Sequence, residues 1–419
     1  MRSEPPGDAP EQPRDSTPRA FTSDVTPPER VLGHVMPPVA APADAPVPDP
    51  APPPPPSTIA IPPVVDVESL DWAAIRQAVD ADAILARGDA IVATMTALLD
   101  RPDGPGFLFD ADRATPEDRA IRVTEPGDAP LWFVGDLHGD LLALEAALAL
   151  VRADDPAARL VFLGDLFDDG GFGLALLLRV FELAAEHPER VCVIAGNHDE
   201  ALRWTGERLA SGVSPSDFAD GLAGESPDAL GPRAGRLAVR FFERAPRALF
   251  FPDGLLAAHG GFPLVDLHAE LEASGDFNDP RALADFVWTR AHPKARRKLP
   301  NRASRGSQFG REDFADFCAL AGRLGRPVTH MVRGHDHVDD RWAVYYASDH
   351  PVLTTVALAR RLPREVFGPY ARIPTIARWV PGALPQVHRL HVPEALVREL
   401  YPEEIEADGA PDAPTEPDA

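Results

Sequence analysis

Five short apolar runs in this chain each stop at a cluster of residues able to bind a metal ion, in one consistent order. The clusters are Gly135-Asp136-Leu137-His138-Gly139, Gly164-Asp165-Leu166-Phe167-Asp168, Gly196-Asn197-His198-Asp199, His259-Gly260-Gly261 and Gly334-His335-Asp336-His337. Together they offer carboxylate, amide and imidazole donors for two ions side by side. Such hard and borderline donors suit manganese, iron or zinc better than soft copper. Two ions about 3.5–4 Å apart would activate a bridging water and offset charge on a transferring phosphoryl group. Hydrolysis of phosphate esters is therefore the chemistry these residues point to. Singly each cluster reads as an ordinary feature: a Gly-Asp turn, a rim histidine, or an Asx-turn with a helix cap. Five in order at the ends of apolar runs are hard to ascribe to coincidence.

The elements that must carry them alternate. Leu131–Val134, 160–163, 191–195, 255–258 and 328–332 read as buried strands, and 141–151 and 174–185 as helices with one apolar face. Residues 66–100 carry helical spacing through Leu70, Ile75, Val79, Ile84, Ile91, Met95 and Leu98. The segment 201–250 is expected to be helical without strands, and 342–356 to form a late hairpin. This alternation argues for a layered α/β domain with a largely buried sheet. Loops at the carboxyl ends of strands in such a domain converge on one crevice. A glycine before a strand-end Asp is expected to let backbone and metal approach closely. No internal repeat is evident.

Composition sets outer limits. Of 419 residues, the first 65 hold 20 of the 48 prolines, including Pro52 to Pro56. That stretch has too little apolar surface to offset its ordering entropy. We read 1–65 as a disordered proline-rich leader, 66–127 as an N-terminal helical and loop segment, 128–400 as the catalytic domain and 401–419 as a disordered acidic tail. The net charge of −24 disfavours a nucleic-acid backbone or an anionic membrane as partner. Of the two cysteines, Cys192 lies inside an apolar run and reads as a buried structural thiol. No run approaches the ~18 apolar residues that would span a bilayer, and the first residues have no apolar signal region, so the expected location is the cytoplasm.

On these motifs the chain resembles the calcineurin-like metallophosphoesterase superfamily, and within it a bacterial member of the phosphoprotein (serine/threonine) phosphatase family. The likeness covers about residues 128–360. It includes His259-Gly260-Gly261-Phe262-Pro263, an arginine-glycine loop at Arg305-Gly306 and the final motif Val332-Arg333-Gly334-His335. It implies a layered α/β/β/α sandwich holding two divalent ions, manganese first, iron or zinc as alternatives. Asp136 and His138 would hold the first metal, Asp165 would bridge, and Asn197, His259 and His335 would complete the second. His198 would be the general acid, oriented by Asp168. Arg305 would clamp phosphoryl oxygens, with Asn197 also facing the phosphate. The substrate implied is a phosphorylated protein or a small phosphoester.

Two departures stand out. The phosphatase pattern has a phosphate-clamping arginine where this chain has Asp169, with Arg290 or Arg203 as candidates to compensate. His337 matches the wider superfamily, where it would join the first metal, and phosphoprotein phosphatases usually lack it. It points toward nucleotide or diester hydrolases as the alternative. A second class of reading is a catalytically weak protein that binds a phospho-ligand, with the leader as tether or as a docking ligand for a proline-binding domain.

Overall fold

The computed structural model describes residues 62–296, 306–365 and 368–402, together with the backbone of Leu299 and Pro300. The leader up to residue 61, the tail from 403 and Arg305 lie outside the described residues.

Two six-stranded sheets pack face to face. The first runs Val64–Val67, Gln386–Leu390, Thr375–Trp379, Leu131–Val134, Arg159–Phe162, Val191–Val193. The second runs Trp342–Tyr345, Val352–Thr355, His330–Arg333, Leu255–Ala258, Ala248–Phe250, Ala120–Arg122. Leu131–Val134, Arg159–Phe162 and Val191–Val193 are parallel neighbours. Leu255–Ala258 and His330–Arg333 are likewise parallel. The strand period of two explains why these runs are apolar throughout. Leu131, Phe133, Val161, Leu163, Cys192 and Ile194 face the other sheet and meet Leu249, Phe251, Leu255, Ala257 and Val332. The alternate residues Trp132, Val134, Leu160, Phe162, Val191 and Val193 face helices that include Leu141–Asp154, Gly173–Glu186 and Leu230–Arg244. On the far side Phe250, Leu256, Ala258 and Met331 pack against Phe286, Phe314 and Phe317 from two further helices. The result is the α/β/β/α layering.

The sheets are stitched where the parallel strands end. Asp136 bridges Val356, and the Ala357 amide donates to the Asp136 carbonyl at 3.0 Å. Leu137 and His138 amides both donate to the Asp165 carbonyl at 3.0 Å.

The hairpin expected at 342–356 is present, Trp342–Tyr345 pairing antiparallel with Val352–Thr355. The segment 201–250 differs from expectation. Leu202–Trp204 and Leu209–Ser211 form a small hairpin, and Ala248–Phe250 is a strand of the second sheet. Three-residue strands are too short to show a period. The helical stretch from 66 is preceded by the strand Val64–Val67, which begins within the segment read as leader. It then breaks into Trp72–Ala78, Ala81–Ala86 and Gly88–Leu99, because Asp71 and Asp80 cap new helices with their side chains. Strands Thr375–Trp379 and Gln386–Leu390 were not foreseen; they carry charged residues on their short runs. Among the described residues no helix is long and apolar enough to cross a membrane.

Asp140, fully buried, caps the helix Leu141–Asp154 through the Ala143 amide at 2.9 Å. It also accepts from the Ala359 and Arg360 amides and from the Tyr401 hydroxyl, at 2.7, 3.1 and 2.9 Å. Replacing Asp140 by Ala orphans several buried donors, each worth about 1–3 kcal/mol. We expect Asp140→Ala to lose at least ~3 kcal/mol of stability, measured as the urea midpoint of the full chain.

Candidate metal centre

Each strand-end loop delivers its side chain because its backbone is held unusually. His138, Asp165, Asp168, Asp169 and His335 all have positive φ, between 39° and 69°. Non-glycine residues pay a conformational cost there, and such residues concentrate at functional sites. Two glycines of these loops leave no room for a Cβ. A Cβ on Gly164 would lie 2.3 Å from the Gly196 amide nitrogen, so that glycine admits the neighbouring loop. A Cβ on Gly334 would lie 2.1 Å from Asp136 Oδ1, a carboxylate of the site. The His335 amide donates to that carboxylate at 2.9 and 3.0 Å.

Around Asp165 the predicted side chains converge. Its Oδ2 lies 3.3 Å from His259 Nε2 and 3.7 Å from His138 Nε2. His259 Nε2 is also 3.1 Å from Asn197 Oδ1 and 3.1 Å from His335 Nδ1. On the other side Asp136 Oδ2 lies 3.3 Å from His337 Nε2. Asp136, His138 and His337 form one group of donor atoms mutually within 4.8 Å; Asp165, His259 and His335 form another.

Outer contacts aim the rings. His138 Nδ1 faces the Phe167 carbonyl at 3.1 Å and His259 Nδ1 the Leu163 carbonyl at 2.9 Å. Both leave Nε2 facing inward. His337 Nδ1 sits 2.6 Å from Glu365 Oε1. Glu365, buried, is gripped by Arg341 at 2.8 and 3.0 Å. His198 Nδ1 lies 2.7 Å from Asp168 Oδ2, and its amide donates to Asp165 Oδ1 at 2.9 Å. Asp199 takes the Asp165, Leu166 and Gly196 amides, locking two loops together.

Burial pushes His138 and His335 well below the ordinary imidazole range, so both are neutral. Burial opposes ionisation of Asp165, but His259 and His198 together hold it well below the usual carboxylate range. Burial likewise works against charge on His198, and is outweighed by Asp165 and Asp168, which raise it to about 9.

Two divalent cations fit these residues. His138 Nε2 and His335 Nε2 are buried nitrogens with no hydrogen-bond partner, the state expected of a ring awaiting a metal. The donors are carboxylate, amide and neutral imidazole, a set suited to two first-row ions.

Every predicted ligand, together with His198 and Asp168, is drawn into this cluster, whereas Arg305 lies outside the described residues. Of the candidate compensators, Arg290 is tied to the His335 carbonyl at 2.9 Å and Asp336 at 3.0 Å. Arg203 is exposed in the Leu202–Trp204 strand. The cation that meets Asp169 is Arg364, 3.0 Å away. Sequence reading missed it, and missed Glu365, because both sit in a short turn, Pro363–Glu365, outside any motif.

These donor groups could hold metal ions, and the chain belongs to the calcineurin-like phosphoesterase family, Metallophos, which it matches over residues 129–339. Members hydrolyse phosphate esters with a pair of metal ions. The chain is 25% identical over 168 residues to the serine/threonine-protein phosphatase 6 catalytic subunit of Drosophila melanogaster, covering 39% of this chain and 51% of that protein. It is 21% identical over 222 residues to the subunit of the same name from Caenorhabditis elegans, 51% of this chain and 61% of that one. The chain thus spans roughly half to three-fifths of these curated relatives. Among solved structures it is similar to a protein serine/threonine phosphatase from Saccharomyces cerevisiae, with a TM-score of 0.50 and 16% identity over 73% of this chain and 90% of that one. At that identity the likeness speaks for the fold.

Glu365→Gln keeps the size of the side chain but weakens its hold on His337. Loss of such an outer partner costs about tenfold in metal affinity. We expect calorimetric titration of manganese to show one of two binding events weakened by that factor and the other unchanged.

Proposed function

We propose that this protein hydrolyses phosphomonoesters, with proteins carrying phosphoserine or phosphothreonine as the substrate class. The carrying observation is the meeting of Asp165 Oδ2 with His138 Nε2 at 3.7 Å and His259 Nε2 at 3.3 Å. A carboxylate so placed between two ring sets is suited to bridge two ions. The names of the relatives support the protein substrate.

Asp136, His138, Asp165 and His337 would hold one ion; Asp165, Asn197, His259 and His335 the other. Manganese is the first choice, with iron or zinc as alternatives. When bound, the pair supplies an activated water and positive charge against the phosphoryl oxygens. The chain supplies the rest. His198, charged and aimed by Asp168 at 2.7 Å, donates a proton to the leaving oxygen. Asn197 helps to orient the phosphate. Arg305 is carried into this scheme by resemblance as a phosphate clamp. No cysteine nucleophile takes part: both thiols are buried. A cytoplasmic location, and the leader as a tether, belong to the same proposal.

His337 favours a second reading. With Asp136 and His138 it completes a three-residue donor group, a pattern that leans toward nucleotide or diester hydrolysis. A panel of phosphopeptides, nucleotides and bis-p-nitrophenyl phosphate, run with defined metals, separates the two by relative kcat/KM.

Asp165→Asn should abolish turnover of p-nitrophenyl phosphate and reduce bound manganese. His198→Asn should keep both ions and lower kcat by about 10²–10⁴. Metal-replete protein inert toward the whole panel would sink the hydrolase reading; His198→Asn with unchanged kcat would remove the general acid.

A further inference from the structure

Position 169 poses an electrostatic problem. Asp169 is 2% exposed, and its Oδ2 is met by an arginine ion pair rather than by a well-aligned hydrogen bond. One of its carboxylate oxygens, a ring nitrogen of His138 and one of His198 lie mutually within 4.8 Å. Its Oδ2 lies 3.5 Å from His138 Nδ1, so a carboxylate there sets negative charge close to the rings around which a phosphoryl group would sit, and like charges in a dry site repel strongly.

The main chain of this loop is held from both sides. The Asp169 amide donates to Asp217 Oδ1 at 2.8 Å and the Gly170 amide to Asp217 Oδ2 at 2.8 Å. The Asp169 carbonyl accepts from Arg360 Nη2 at 2.8 Å, and the same nitrogen donates to the His138 carbonyl at 2.6 Å. The backbone is thus fixed beside the candidate metal ligands, and the carboxylate lies 3.5 Å from His138 Nδ1. Arg364 Nη2 reaches it at 3.0 Å. Its neighbour Glu365 is buried and locked to Arg341 and His337, so the turn that carries Arg364 is itself anchored to the site. The Arg364 side chain keeps 44% of its exposure. It stands at the mouth, with one end of its fork on Asp169 and further N–H donors available to a second anion.

We propose that Arg364, held by Asp169, is the phosphate-binding cation of this site, entering from the 360–365 segment in place of an arginine at position 169. Asp169 then serves as a holder: it neutralises Arg364 in the free protein and keeps the guanidinium within reach of an arriving phosphoryl oxygen. The planar fork of arginine can serve two anions at once, which a lysine point charge does poorly. This inference rests on the phosphoesterase reading for its substrate, and extends it by naming a specificity-determining residue.

The test uses the full chain loaded with manganese. KM and kcat are measured for p-nitrophenyl phosphate, and the Kd of inorganic phosphate by calorimetry, in wild type, Arg364→Ala, Arg364→Gln and Arg364→Lys. Manganese content is measured alongside. Loss of a charge-assisted contact at a half-exposed arginine should raise both KM and Kd about tenfold. kcat should fall less, manganese should be retained, and Arg364→Lys should recover only part. KM and Kd within twofold of wild type in Arg364→Ala and Arg364→Gln would overturn the proposal. So would phosphate affinity lost in step with manganese, which would make Arg364 a scaffold residue. If wild type turns nothing over while phosphate binding still depends on Arg364, the hydrolase reading falls and the assignment of Arg364 stands.

Discussion

Negative charge confined between two apolar sheets governs this molecule. Asp136 and Asp165 are 0% and 2% exposed, and Asp168, Asp169 and Asp199 lie as deep. Carboxylates cannot crowd together in a dry interior unless each finds protons, donors or cations. Each has a different solution. Asp199 takes three backbone amides and is raised to about 7 by burial and by Asp165. Asp168 takes His198 and the Phe218 amide. Asp169 takes Arg364. Asp165 is held well below the usual carboxylate range by His259 and His198, Asp136 lies 3.3 Å from His337 Nε2, and His138 and His335, pushed down by burial, each keep an unpartnered Nε2. That combination suits a pair of cations. Strained backbone at five of these residues is the cost of aiming them inward from the ends of parallel strands.

The convergence of the candidate ligands was legible because each stands in a short motif directly after an apolar run, and the strand end fixes its position. The α/β layering was legible for a similar reason: runs such as Leu160–Leu163 are apolar on both faces. The outer partners were not. Glu365 is 28 residues from the His337 it orients, and Asp140 is 261 residues from the Tyr401 hydroxyl it accepts from. Such pairs are chosen by tertiary packing and leave no local pattern. The strands Val64–Val67 and Gln386–Leu390 escaped notice because Asp66 and Arg389, which pair across them at 2.9 Å, interrupt the apolar character. The role of glycine was legible in kind only. Gly164 clears room for Gly196, a neighbour known only from the fold.

Asp169 shows how a departure from a family pattern is to be weighed. Read in sequence, a carboxylate beside an anion site suggests decay of function. In the folded chain its charge is met by Arg364, and its main chain is held by Asp217 and Arg360. The substitution is built into its surroundings rather than left exposed. Net charge at the mouth is set by the pair, not by either residue.

The two thiols carry a consequence of their own. Cys192 is packed between the sheets and Cys318 within a helix of the outer layer, and burial pushes both well above the ordinary range. Alkylating agents and peroxides react with thiolate, which neither residue supplies. In the folded chain both sulfhydryls are therefore packed away and kept protonated, unlike the exposed thiolate on which a cysteine-dependent hydrolase relies.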